Sequence, residues 1–173
     1  LLVLSRLDNK KTSWKIETFD AERFIEHIYD VMSVSAKERA QTLTMKCESD
    51  IPDVTADKEK LQQVIINIVS NAIKYTPKGG NVAITAKNSG EFFLISVSDN
   101  GIGIPKDDLP RIFERFYRVE KSRTSDAGGT GLGLAIAKEI IDAHGGDIKI
   151  DSEIGRGTHV DVFIPYKTKL ENV

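Results

Sequence analysis

Apolar residues recur at helical spacing in three stretches of the chain. The first stretch predicts an amphipathic helix that is capped by Asp20 and fades near Arg39, and its apolar residues are Phe24, Ile25, Ile28, Val31 and Met32. A second helix is predicted from Asp57 to Tyr75, since no Gly or Pro interrupts that run. A third is predicted from Leu132 to Ala143, where His-Gly-Gly ends it.

Between these helices, alternating or continuous apolar runs predict β-strands. The Asn-Ser-Gly sequence between the third and fourth of these runs is typical of a hairpin. The predicted strands are Trp14–Phe19, a short one around Leu43 and Met45, Val82–Lys87, Phe92–Val97, Asp147–Ile150 and His159–Ile164. This order of elements predicts an α+β fold, a two-layer sandwich in which about three helices cover one face of a mixed, mainly antiparallel sheet.

The ends of the chain differ from this pattern. Leu1, Leu4 and Leu7 have helical spacing without a preceding cap, so we assign residues 1–10 to the end of a neighbouring helix. Residues 11–166 form the predicted domain, and residues 167–173 are expected to be a frayed tail.

Composition excludes several kinds of function. With 24 Lys and Arg against 26 Asp and Glu, the 173-residue chain lacks the basic excess that nucleic-acid binding requires. The single cysteine, Cys47, cannot form an intramolecular disulfide, and no Cys/His spacing resembles a zinc site, which fits a reducing compartment. No apolar stretch is long enough to span a bilayer, so we expect any membrane attachment to lie outside this sequence.

Candidate chemistry begins on the second predicted helix. Asn67, Asn71 and Lys74 follow one another at i, i+4 and i+7, beside the arc that faces the core. The residues of that arc are Leu61, Val64, Ile65, Ile68 and Ala72. Asn is mildly unfavourable inside a helix, so two Asn residues beside the core-facing arc require an explanation. The polar stripe is either a binding site or a solvated seam, a row of polar side chains that water covers.

Three glycine-rich segments add further candidates. Asp99 to Pro105 follows a strand and could place a carboxylate acceptor beside a ligand, or form a turn with an Asx bond. Gly128 to Leu134 leads into a helix and could be an anion-binding nest or a flexible loop; it has neither the Rossmann nor the Walker A spacing. The Gly-Arg-Gly-Thr run that ends at Thr158 allows another close backbone approach beside a hydroxyl.

The segment from Phe113 to Arg118 places two guanidinium groups among three aromatic side chains. Together with Lys121 and Arg123, Arg118 could neutralise a polyphosphate. The aromatic residues could equally be core anchors, and Arg115 could pair with a neighbouring carboxylate, either Glu114 or Glu120.

In their order and spacing, these clusters resemble the catalytic, ATP-binding domain of bacterial sensor histidine kinases. The wider ATPase group includes gyrase, the Hsp90 chaperones and the MutL repair proteins, and the resemblance covers about Trp14 to Tyr166. It implies the Bergerat-type ATP-binding fold with ATP and Mg²⁺ as cofactors, and an ATP lid from about Val119 to Gly129. Residues 1–10 would then be the end of the dimerisation and phosphoacceptor domain.

The resemblance also implies roles for individual residues. Asn67, Lys74 and Arg118 would be catalytic, and Mg²⁺ would be held by Asn71 and Asn67. Lys74 and Arg118 would contact phosphate oxygens, Tyr75 would pack on the adenine, and Asp99 would accept from its amino group. The implied nucleotide-binding residues are Asn71, Tyr75, Asp99, Gly101, Gly103, Ile104, Gly129, Thr130, Gly131, Leu132, Gly133 and Thr158.

The implied activity is transfer of the γ-phosphoryl group of ATP to a histidine on a dimerisation domain. None of His27, His144 and His159 resembles the acceptor, so we expect ATP binding without autophosphorylation. The alternatives are an ATP-gated clamp or chaperone-type ATPase and an anti-sigma-type serine kinase. The clamp-type ATPases carry Glu where this chain has Asn67, which cannot serve as a general base near pH 7. The expected partners are the phosphoacceptor domain and a response regulator, in the cytoplasmic part of a membrane-anchored bacterial protein.

Overall fold

The computed structural model describes residues 12–119 and 133–172. Within these ranges the helices are α1 (Ala21–Glu38), α2 (Lys58–Tyr75) and α3 (Gly133–Ala143), and a 3₁₀ turn spans Leu109–Arg111. The strands are β1 (Ile16–Phe19), β2 (Thr42–Cys47), β3 (Val54–Asp57), β4 (Asn81–Ser89), β5 (Phe92–Asp99), β6 (Asp147–Glu153) and β7 (Gly157–Pro165).

Five strands form the main sheet in the order β2-β4-β5-β7-β6. Only the β2–β4 pair of this sheet is parallel, and the predicted hairpin joins β4 to β5 with Ser89 opposite Phe92. Strands β1 and β3 form a separate antiparallel pair. The prediction of a mixed, mainly antiparallel sheet is therefore confirmed.

Helices α1 and α2 each begin after an acidic cap, which is Asp20, as predicted, for α1 and Asp57, predicted as the first helical residue, for α2. The carboxylate of Asp20 accepts from the backbone N–H of Arg23, and that of Asp57 accepts from the backbone N–H of Lys60. Each cap satisfies a backbone donor that has no partner within the helix. The caps explain why the bounds predicted for both helices differ from the observed ones by only a residue or so.

The core lies between the helices and one face of the sheet. Alternate residues of β4, namely Val82, Ile84 and Ala86, are almost completely buried on that face, as are Leu61 and Ile65 of α2. This alternation is the period-two pattern of a strand packed on one side. The two-layer α+β architecture is confirmed, and no helix in the described ranges is long and apolar enough to cross a bilayer.

The chain after β7 is docked, contrary to the expectation of a frayed tail. The carbonyl of Tyr166 accepts from the N–H of Thr55 at 2.7 Å, and the N–H of Thr168 donates to the carbonyl of Thr55 at 3.0 Å. Thr168 is buried. The edge of β3 has backbone groups that need partners, and residues 166–168 supply them. Residues 1–10 lie outside the described ranges.

Candidate functional site

A cavity of about 620 Å³ lies between α2, the adjoining ends of β5 and β7, the loop after β5 and the start of α3. Its walls are mostly apolar, and polar groups are concentrated at a few points. The polar or charged residues that line it are Asn71, Lys74, Tyr75, Asp99, Tyr117, Arg118 and Thr158. A largely apolar slot with a few convergent polar groups is typical of a small-molecule site.

Two residues of the polar stripe of α2, Asn71 and Lys74, face this cavity. Asn71 and Lys74 line it and are half-buried, and the Lys74 ammonium lies 5.2 Å from the ring centre of Tyr75. Asn67, one turn earlier, contacts the start of α3, where its amide nitrogen lies 3.4 Å from the carbonyl oxygen of Gly133. Asn67 does not itself line the cavity. Two of the three residues of the stripe therefore border the cavity, and their role in binding stays a prediction.

Asp99 ends β5 and brings a carboxylate to the cavity wall. Its Oδ1 accepts from the backbone N–H of Gly101 at 2.8 Å. Burial raises the pKa of Asp99, and hydrogen bonds from the backbone N–H groups of Gly101 and Thr158 partly offset that rise. The Asx bond is therefore present, and the same carboxylate lines the cavity, where its role as a ligand acceptor stays a prediction.

The glycines after Asp99 serve contacts within the protein itself. A Cβ on Gly101 would lie 2.5 Å from the carbonyl oxygen of Tyr75, and one on Gly103 would lie 2.0 Å from that of Glu153. Gly103 also has a φ of +73°, which disfavours any side chain. Gly103 and Ile104 line the cavity, whereas Gly101 lies beneath its wall, where it brings β5 against the end of α2.

Thr158 stands directly opposite Asp99 in the β5–β7 register. Its hydroxyl lies 2.8 Å from that of Ser152 on β6. The backbone N–H of Ile104 donates to the same Ser152 hydroxyl at 2.8 Å. The loop after β5 and the β6–β7 turn are therefore joined at the polar end of the cavity.

In the segment from Phe113 to Arg118, some residues pack against the rest of the protein and others line the cavity. Phe113 packs against the core, and Arg118 lines the cavity. Phe116 is 61% exposed and has a φ of +64°. Arg115 forms an ion pair with Glu139 of α3 at 2.6 Å, a contact between distant segments of the chain.

The glycine-rich segment from Gly128 to Leu134 lies only partly within the described residues. Gly133 lines the cavity at the first residue of α3. Gly129, Thr130, Gly131 and Leu132 lie outside the described residues, as do Lys121, Arg123 and most of the expected lid.

The apolar lining of the cavity was not predicted as part of a site. Its apolar members are Ile68, Ala72, Val97, Ile102, Pro105, Ile112, Val119, Leu134, Ile150, Ile154 and Val160. Several follow the same periodicity as core residues, since a slot that opens out of the core is lined by the ends of core elements. No local signal in the sequence separates the two.

The side chains near the cavity can hold a metal ion only if the bound ligand supplies the negatively charged oxygens. In residues 12–119 and 133–172, no group of three or more His, Cys, Asp or Glu side chains could hold a metal ion. The amide oxygens of Asn71 and Asn67 are hard neutral ligands, which suit Mg²⁺ when phosphate oxygens supply the charge.

Comparison with known proteins shows the family to which the chain belongs. A family model described as "Histidine kinase-, DNA gyrase B-, and HSP90-like ATPase" matches residues 56–168. The chain belongs to this family. Sensor histidine kinase WalK of Bacillus subtilis is 44% identical over 174 residues, a match that covers 99% of this chain and 28% of WalK.

Two solved structures narrow the class further. Full-length ShkA in complex with AMPPNP matches with a TM-score of 0.85 and 29% identity over 99% of this chain and 35% of ShkA. The catalytic domain of histidine kinase ThkA matches with a TM-score of 0.77 and 28% identity over 88% of this chain and 97% of that domain. Within its family, the chain is a histidine kinase ATP-binding catalytic domain, as the resemblance implied.

Proposed function

We propose that this chain binds Mg-ATP in the cavity beside Asp99 and presents the γ-phosphoryl group to a histidine of a separate dimerisation domain. One observation carries the proposal: a single apolar slot contains an ionisable acceptor, Asp99, at one wall and the amide and ammonium groups of α2, Asn71 and Lys74, at another. These are the groups that a purine with a charged polyphosphate requires.

Asp99 is suited to the purine. An ionised carboxylate accepts from the exocyclic amino group of adenine and repels the carbonyl that guanine has at the same position. The apolar lining would enclose the base, with Tyr75 packed against it. The site should therefore prefer ATP to GTP.

The phosphates would lie toward Lys74, Arg118 and the start of α3. A helix N-terminus presents free N–H groups and a positive dipole end, so the start of α3 at Gly133 favours an anion there. Mg²⁺ would be held by Asn71 and Asn67 together with phosphate oxygens and would neutralise part of their charge.

The chemistry at Asn67 favours a kinase over a hydrolase. Hydrolysis needs a base that takes a proton from water, and an amide does not accept a proton near neutral pH. In phosphoryl transfer to histidine, an imidazole nitrogen attacks the γ-phosphorus, the bond to the β–γ bridging oxygen breaks, and ADP leaves. That reaction depends mainly on positioning and charge stabilisation, which Lys74 and Arg118 can supply.

The chain spans about 28% of the length of WalK, so the rest of a full-length kinase would supply the acceptor. We place this domain on the cytoplasmic side of a membrane-anchored bacterial sensor, where ATP is available. A response regulator would then receive the phosphoryl group from the acceptor histidine.

Isothermal titration of the chain with ATP tests the binding step. We expect saturable binding with Mg²⁺ that weakens in excess chelator, and a further loss in Lys74→Ala. Lys78→Ala is the matched control, because Lys78 is exposed three residues beyond the end of α2. Equal binding by both variants would contradict the phosphate assignment.

Transfer is tested with γ-labelled ATP and a separately supplied dimerisation domain from a sensor histidine kinase. We expect acid-labile label on that domain, and none when its acceptor histidine is replaced. Release of inorganic phosphate at the same rate with and without the acceptor would instead favour a hydrolytic clamp.

A further inference from the structure

Ser152 is a buried serine at the polar end of the cavity, on the core-facing side of β6. Only 5% of its surface is exposed. Its hydroxyl oxygen lies 2.8 Å from the N–H nitrogen of Ile104, 2.9 Å from the carbonyl oxygen of Gly157 and 2.8 Å from the hydroxyl oxygen of Thr158. All three partners belong to segments that form or support the cavity wall.

The single hydroxyl proton of Ser152 determines the direction of these bonds. A backbone N–H can only donate and a carbonyl oxygen can only accept, so Ser152 accepts from Ile104 and donates to Gly157. Its remaining lone pair can then only accept, and the Thr158 hydroxyl must donate to it. Thr158 therefore directs its proton away from the cavity and leaves only lone pairs toward it.

Asp99 lies opposite Thr158 and is also an acceptor when ionised. The two side chains together make this end of the cavity a surface of acceptors. Such a surface matches a purine that carries an amino group at C6 and disfavours one that carries a carbonyl there.

We propose that Ser152 is a positioning residue for base selection, which keeps the Thr158 hydroxyl turned so that the site distinguishes 6-amino from 6-oxo purines. This inference rests on the proposed function, because it presumes that the base of ATP occupies this end of the cavity. Ser152 acts through Thr158 and needs no contact with the nucleotide.

The test compares the affinities for ATP and inosine triphosphate, whose bases differ only in whether C6 carries an amino group or a carbonyl with its ring proton. In Ser152→Ala the Thr158 proton is free to turn toward the cavity and donate to the 6-carbonyl. We expect the preference for ATP over inosine triphosphate to shrink by about tenfold, the effect of one hydrogen bond of about 1.4 kcal/mol.

Three variants separate positioning from simple loss of structure. Ser152→Thr keeps the hydroxyl and should keep the wild-type preference. Thr158→Val removes the group through which Ser152 acts, so adding Ser152→Ala to it should leave the preference unchanged. Ser96→Ala is the matched control, because Ser96 is a similarly buried serine that hydrogen-bonds Asp161 on the opposite face of the sheet.

Loss of the acceptor for Ile104 should weaken both nucleotides alike, so only the ratio of the two affinities reports on Thr158. A Ser152→Ala protein that binds both nucleotides with the wild-type ratio would overturn the inference, and so would a wild-type protein without preference. If the alanine variant does not fold, Ser152→Cys replaces the hydroxyl by a weakly bonding thiol of similar shape, and the same ratio decides. A wild-type chain that binds neither nucleotide would instead refute the proposed function.

Discussion

Asp99→Asn changes the charge of the cavity wall with almost no change in shape. In the wild type, one carboxylate oxygen is held by the N–H of Gly101 at 2.8 Å, and Asp99 faces an apolar slot. In the variant, the amide oxygen keeps the bond to Gly101, which leaves the NH₂ group toward the cavity. There it would meet the amino group of adenine, donor against donor.

The expected magnitude follows from a single mispaired polar group. Leaving a buried donor without an acceptor costs about 1 to 3 kcal/mol, which corresponds to a rise in the Kd for ATP of roughly 5- to 150-fold. The lower end applies if water reaches the amide, and the upper end applies if the base seals the slot. The affinity for inosine triphosphate should fall less than the affinity for ATP, because the 6-carbonyl of its base can accept from the new NH₂ group.

Stability in the absence of nucleotide should change differently from affinity. Burial raises the pKa of Asp99 in the folded state. A group with a raised folded pKa adds stability below its unfolded value of 3.8, and this contribution is lost as pH rises through the folded pKa. Near neutral pH the ionised carboxylate therefore destabilises the fold, and Asp99→Asn should leave the free energy of unfolding unchanged or higher.

Isothermal titration gives the two affinities, and urea denaturation of the nucleotide-free chain gives the stability. Asp151→Asn is the control, because Asp151 is an exposed carboxylate on β6. Wild-type affinity for ATP in Asp99→Asn would refute the adenine assignment. If the affinity of Asp99→Asn for ATP falls only as far as its lower free energy of unfolding explains, the mispaired hydrogen bond is not the cause.

Three further outcomes are expected. Gly103→Ala should destabilise the fold by several kcal/mol in denaturation experiments, because its Cβ would clash with Glu153, whereas Gly90→Ala, which shares a positive φ but has open space, should cost about 1 to 2 kcal/mol. Burial lowers the pKa of His144, so its neutral imidazole contributes its whole stabilisation above pH 6.5, and this contribution is lost as pH falls through the lowered pKa. The free energy of unfolding, measured across pH, should therefore decline at low pH in a His27→Gln control and decline less in His144→Gln. Incubation with labelled ATP should leave the chain unlabelled, and covalent label on any of its histidines would contradict the assigned acceptor.

Most of the regular elements could be predicted because their signals are local, but the short strand β3 was not among the predicted strands. For α2, the run from Asp57 to Tyr75 without Gly or Pro predicts bounds within one residue of those observed. The Asn-Ser-Gly turn predicts the β4–β5 hairpin, although both strands extend further than expected, to Asn81 and Asp99. Strand ends depend on pairing with neighbouring strands, which periodicity within one strand does not record.

The parts that could not be predicted depend on contacts between distant segments. The docking of residues 166–168 on β3 is made by backbone groups, which every sequence has. The Arg115–Glu139 pair spans 24 positions of the chain. Ser152 is an ordinary polar residue in an alternating strand, and only the approach of Ile104 and Thr158 gives its hydroxyl a role.

We propose that the polar stripe of α2 and the end of β5 bind one nucleotide between them. A crystal structure of the chain with Mg²⁺ and adenylyl imidodiphosphate tests this most directly. We expect the amino group of the base against Asp99, the phosphates toward Lys74 and the metal beside Asn71. A base bound away from Asp99, or phosphates outside the reach of α2, would contradict it.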